Sequence, residues 1–146
     1  MTKNKSRDKA LILTILKNQQ KIKDAIKFFK CTEYNLDQND MAFDLCAMYM
    51  AQIGESAKLL TDDTKSNLTT FDWRTIKYFR DFIDHVYEKI NKKTLKPYIF
   101  LMTSPKVTNE LKDVLKQITQ ELNNEKMKLK NMIFKNMIFK RNLSRK

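Results

Sequence analysis

An all-α bundle of about five helices is the fold class predicted for this chain of 146 residues. Three observations lead there. Glycine occurs once and proline twice, so the tight turns that sheets need have few residues to build them. Good helix formers (Leu, Ile, Ala, Lys, Glu, Gln) dominate. Apolar residues recur at intervals of three and four in successive segments. One domain accounts for the length, and a chain of this size buries about two-thirds of its unfolded surface without disulfide or metal staples.

The elements follow in order. Ser6 can cap a first helix running to about Lys30, with Leu11, Ile12, Ile15, Leu16, Ile22, Ala25, Ile26 and Phe29 on one stripe. Cys31 to Asp37 is polar and reads as a loop. A second helix spans about Gln38 to Leu60, with Met41, Leu45, Met48, Tyr49, Gln52, Ile53, Ala57 and Leu60 as its expected core face. The lone Gly54 sits inside it, where glycine costs about 1 kcal/mol against alanine. A close helix–helix approach would explain it. Thr61 to Thr70 reads as a loop. Asp72 can cap a third helix from Trp73, itself read as a packing anchor, and Ile76, Phe79, Ile83, Val86 and Ile90 form a seam at spacings of 3, 4, 3 and 4. Thr94 to Met102 makes a fourth helix, with Pro97 in its first turn. Ser104 and Pro105 suit the cap and first position of a fifth, whose apolar face is Val107, Leu111, Val114, Leu115, Ile118 and Leu122.

The end of the chain departs from this order. Asn131-Met132-Ile133-Phe134-Lys135 is repeated at once as Asn136-Met137-Ile138-Phe139-Lys140. A period of five fits neither helix nor strand, so this is a short duplication. Leu129, Ile133 and Met137 are four apart, so the fifth helix can simply continue. The expected division is a helical domain over 1–124 and a basic extension over 125–146. Net charge is +12; residues 125–146 carry eight Lys and Arg against one Glu, and residues 1–124 carry 21 against 16. Such a balance favours a polyanion over an acidic small molecule. Cys31 and Cys46 have no metal-site spacing and suit free thiols in a reducing compartment. With no signal segment and no bilayer-spanning run, the expected location is cytoplasmic and the expected partners include no membrane.

Chemistry concentrates in Arg80-Asp81-Phe82-Ile83-Asp84-His85-Val86-Tyr87, which holds the single histidine of the chain. A histidine titrates near neutral pH and can move protons; an arginine is a permanent, forked cation suited to phosphate. Arg80-x4-His85-x-Tyr87, preceded by Trp73-x2-Ile76, resembles the HEPN nuclease motif of HepT-type toxins, with Asp81 fitting the second motif position. Gln52-Ile53-Gly54-Glu55-Ser56-Ala57 resembles the Ile-Gly-Glu segment of that family's second helix. The resemblance covers about residues 8–122.

It implies a HEPN-type up-and-down bundle that forms a homodimer with motif helices lining one cleft. It implies a metal-independent ribonuclease without cofactor, acting on transfer or messenger RNA. It also implies an MntA-type nucleotidyltransferase antitoxin that silences the toxin by AMPylation of Tyr87. Gly54 and Glu55 would support the motif helix, Glu55 by positioning Arg80. On an ideal helix Arg80 and His85 are about 140° apart, so two protomers would supply complementary groups across the cleft. Arg80 and Tyr87 nearly align, and Asp81 can reach His85 to orient it. The competing expectation is a non-catalytic HEPN adaptor or substrate-binding subunit of a nucleotidyltransferase. A third is a basic RNA-binding protein whose tail makes the main contact.

Overall fold

In the computed structural model, residues 2–84 and 91–145 are described. Their elements are α1 (Thr2–Phe28), a 3₁₀ turn at Leu36–Gln38, α2 (Asp40–Lys58), α3 (Asp62–Ser66), a 3₁₀ turn at Trp73–Ile76, α4 (Lys77–Asp84), α5 (Lys92–Met102) and α6 (Pro105–Ser144). Among the described residues there is no strand, and the architecture is the expected all-α bundle. The helix α1 packs between α2 and α6, and α4 lies on α2.

Helix α1 starts ahead of its expected cap. Ser6 lies within the helix and exposed, because the first turn is held from outside: Lys5 Nζ donates to Glu125 Oε1 at 2.8 Å and lies 3.4 Å from Glu121 Oε2. Asn18 and Gln19 of α1 are buried, as is Asp8, and Gln19 Nε2 donates to the Met102 carbonyl at 2.6 Å and to Thr108 Oγ1 at 2.8 Å. The helix ends in a Schellman arrangement, with Cys31 N donating to the Ile26 carbonyl and Lys30 N to that of Lys27. Lys30 takes the left-handed conformation there, at φ 53°.

Helix α2 is capped by Asn39, whose side chain accepts from Ala42 N. Of the face expected inside, Ile53, Ala57 and Leu60 are buried and Leu45 and Tyr49 pack at its edge, but the buried face is rotated away from Met41, Met48 and Gln52. Ala42, Phe43, Cys46, Ala47, Met50, Ile53, Ser56 and Ala57 are buried; Met41 and Met48 are 72% and 39% exposed, and Gln52 is exposed. Helix α2 lies between α1 and α4, and Ala42, Ala47 and Ala57 share its buried sides with Phe43 and Met50, while Met41 and Met48 fall on the side that neither helix covers. The expected loop after it contains α3. Five residues are too few to show a period, and Thr61 and Thr64 are organised by a distant carboxylate. Buried Asp8 accepts from Thr61 N at 3.0 Å, and from Thr61 Oγ1 and Thr64 Oγ1 at 2.6 Å each.

Asp72 caps as expected, accepting from Arg74 N, but the first turn is 3₁₀ before α4 begins at Lys77. Ile76 and Phe79 are buried; Ile83 is 43% exposed and Phe82 takes the core position, its ring edge-on to Phe43 at 5.2 Å. Val86 and Ile90, the rest of that seam, lie outside the described residues. Asn91 caps α5 two residues earlier than expected, which moves Pro97 from the first turn into the helix interior. In α6, Ser104 caps and Pro105 follows, and Val107, Leu111, Val114, Ile118 and Leu122 are buried while Leu115 packs at the edge. The helix then runs on to Ser144 with no buried residue after Leu122. No helix among the described residues is long and apolar enough to cross a membrane.

Candidate active site

Two contacts place Arg80. A Cβ on Gly54 would lie 1.9 Å from Ile76 Cγ2, so glycine is what lets the start of the motif segment sit directly on α2. One turn further, Phe82 docks on Phe43. With Ile76, Phe79 and Phe82 inward, Arg80, Asp81 and Asp84 are turned to solvent.

Arg80 Nη2 forms an ion pair with Glu55 Oε1, one residue beyond Gly54. The side chains are 51% and 54% exposed, so water screens the pair, and its contribution to stability is about 0–1 kcal/mol. Its consequence is orientation: the carboxylate holds a long, flexible cation over the α2 surface. Asp84 is not the partner of Arg80. His85 and Tyr87 lie outside the described residues, and with them the expected geometries of Arg80 with His85, Asp81 with His85, and Arg80 with Tyr87.

Arg80 also lines a groove of about 490 Å³. Its lining includes small, uncharged residues (Ala51, Gly54, Ala57) and the larger apolar side chains of Trp73 and Ile76. Lys58, Lys65, Arg74 and Lys77 join Arg80 around it, with Glu55 the single acid of the lining. Sequence reasoning missed these four cations. A signal existed for two of them: Lys58 is four residues after Gly54 and Lys77 is three before Arg80, both on helical faces already singled out. Lys65 and Arg74 arrive through α3 and the 3₁₀ turn, which no period announces.

Trp73 packs edge-on to Phe71 at 5.3 Å, and its Nε1 donates to the Leu68 carbonyl at 3.0 Å. Arg74 is engaged by Asp72 through Nε at 3.0 Å and Nη2 at 3.2 Å. That hydrogen-bonded pairing lowers the Asp72 carboxyl below the usual carboxylate range and raises Arg74. Both cysteines are free, and burial pushes the Cys46 thiol up to about 12, so it is an inert core group at neutral pH.

Residues 15–100 match the family Ribonuclease HepT-like, which is more than half of the chain. The protein belongs to the HepT-like ribonuclease family. Comparison with curated proteins and with solved structures gave no match. The stretch shared with the HepT-like family takes in Gly54, Glu55 and Arg80 and every residue of the groove; α6 lies beyond it.

Proposed function

We propose that this HepT-like protein is a metal-independent ribonuclease toxin that acts as a homodimer on transfer or messenger RNA in the cytoplasm. The observation that carries the reading is the position of Arg80: a cation on the motif helix, oriented by Glu55 at the edge of a basic groove, in a chain of a ribonuclease family. In this reading Arg80 holds the scissile phosphate and offsets the charge that builds on it in the transition state. His85 takes the proton from the RNA 2′-hydroxyl or gives one to the leaving 5′-oxygen, and the two histidines of a dimer divide these steps. Asp81 orients His85. The internal nucleophile leaves a 2′,3′-cyclic phosphate, and DNA has no such nucleophile.

Silencing follows from the same charges. AMP attached to Tyr87 by an MntA-type antitoxin brings a negative phosphate close to Arg80, where it competes with RNA. Tyr87→Phe should therefore keep cleavage and lose silencing. Intact-mass analysis after incubation with the antitoxin and ATP checks this; AMP still added to the Phe variant would disprove the assignment. The activity itself is tested by incubating RNA and the equivalent DNA in EDTA with the protein and with His85→Ala. RNA cut by the parent alone, with DNA intact, is the expected result. Cleavage that persists in His85→Ala, or cutting of DNA at the same rate, would sink the mechanism.

A second reading draws on the same ion pair. Because Arg80 already has a carboxylate partner, a non-catalytic HEPN adaptor that keeps this arginine as a structural group is the alternative. It predicts no cleavage by parent or variant, and a stable complex with a nucleotidyltransferase that survives Arg80→Ala.

A further inference from the structure

We propose that the groove beside Arg80 is a nucleotide subsite, which takes the base of one unpaired RNA nucleotide next to the phosphate that Arg80 holds. This rests on the ribonuclease reading and adds a requirement to it: the substrate must be single-stranded at the cut.

The groove has two chemistries in one place. Ala51, Gly54 and Ala57 give it a small, uncharged lining, and Trp73 and Ile76 add apolar surface to it. The volume of about 490 Å³ lies within the range of small-molecule sites. The indole N–H is already given to the Leu68 carbonyl, so the ring offers apolar surface. The same lining includes Lys58, Lys65 and Lys77, all exposed. Arg74 is balanced by Asp72, and Glu55 is directed to Arg80, so neither acid cancels the three lysines. A flat uncharged ring joined to anionic phosphates complements that arrangement. A duplex does not, because its bases are stacked and paired, whereas unpaired bases can be splayed out and seated on apolar or aromatic surface.

Trp73 is the single tryptophan of the protein, so its fluorescence reports from the groove. The full chain carrying His85→Ala, expected to leave RNA uncut, is titrated with a single-stranded RNA of about 15 nucleotides, with the same sequence annealed to its complement, and with AMP. The expected result is a saturable change with the single strand, at least tenfold weaker with the duplex and with AMP. Ala51→Phe fills the groove and should weaken the single-strand response at least tenfold. Lys58→Glu with Lys65→Glu, both at exposed positions that spare the core, should do the same, and serves if the first variant does not fold.

Equal affinity for single strand and duplex would overturn the proposal. So would AMP binding as tightly as RNA, which would assign the groove to a free nucleotide. Absence of a response while the parent still cuts RNA would remove the subsite and leave the ribonuclease standing. A response without any cutting by the parent would remove the ribonuclease and leave the subsite.

Discussion

In the first half of α6, Val107, Leu111, Val114, Ile118 and Leu122 are all buried; in the second half, Leu129, Met132, Phe139 and Leu143 follow similar helical spacing and are 56–63% exposed. Both halves are helical. What differs is the neighbour. Helices α1 and α6 run antiparallel, with Gln19 meeting Thr108 at one end and Lys5 meeting Glu125 at the other. Helix α1 has 27 residues and α6 has 40, about 40 Å against about 60 Å, so α6 outruns the surface that could cover it. Periodicity therefore marks a helix and one of its faces, but burial depends on the length of the partner.

The largest expected effect tests the contrast directly. Leu111→Ala should cost about 2–5 kcal/mol and Phe139→Ala about 0.5 kcal/mol or less, both read from urea unfolding. A cost above about 1 kcal/mol for Phe139→Ala would mean that the second half is covered in solution. Next comes the contact that seats the motif segment. Gly54→Ala should lose about 1–3 kcal/mol, because the buried, branched side chain of Ile76 must shift. The same variant should slow RNA cleavage through Arg80, and unchanged stability would contradict the geometry.

Smaller effects sharpen the picture at the edges. Lys30→Gly should raise stability by about 1 kcal/mol, since the left-handed conformation that ends α1 strains any residue with a Cβ. Ending the chain after Asn124 removes Glu125, one of the two partners of Lys5, together with the tail, and should lower stability by no more than about 1 kcal/mol, because that ion pair is partly exposed and Glu121 remains. We take residues 1–124 as the folding unit on this ground. If the tail also grips RNA, the truncation should flatten the salt dependence of binding and leave cleavage intact.

A pH effect comes from α5. The Lys96 hydrogen bond holds the Asp37 carboxyl below the usual carboxylate range. A group lowered in the folded state stabilises it fully above the ordinary value of about 3.9, and that contribution is lost as pH falls through the lowered folded value. Lys96→Met should thus be less stable than the parent at pH 6, with the gap closing in acid. A gap that widens in acid would contradict the pairing.

Much of the fold was legible because its signals are local. Asp72 and Ser104 cap where their side chains suggested, and the α6 face from Val107 to Leu122 is buried as its spacing implied. The misreadings share a cause in long-range contacts. Ser6 is no cap because Glu125 holds the first turn of α1 through Lys5. Helix α3 depends on Asp8, 53 residues before Thr61. Met41 and Met48 were expected inside because they are apolar, but α2 meets both α1 and α4, and the sides that meet them carry Ala42, Phe43, Cys46, Ala47, Met50 and Ile53 instead. At the site, Gly54, Glu55 and Arg80 stood out by type and spacing. Lys58 and Lys77 lay within helical reach of those residues, but Lys65 did not, since charge alone does not mark one surface lysine from another.

The central claim is that Arg80 serves a phosphate attacked by its own 2′-hydroxyl. The most direct measurement is the chemistry of the new 3′ end of RNA cut in EDTA, together with the single-turnover rate of Arg80→Ala. The account predicts a 2′,3′-cyclic phosphate and a rate reduced by about 100-fold or more. A free 3′-hydroxyl, or a rate unchanged in the variant, would contradict it.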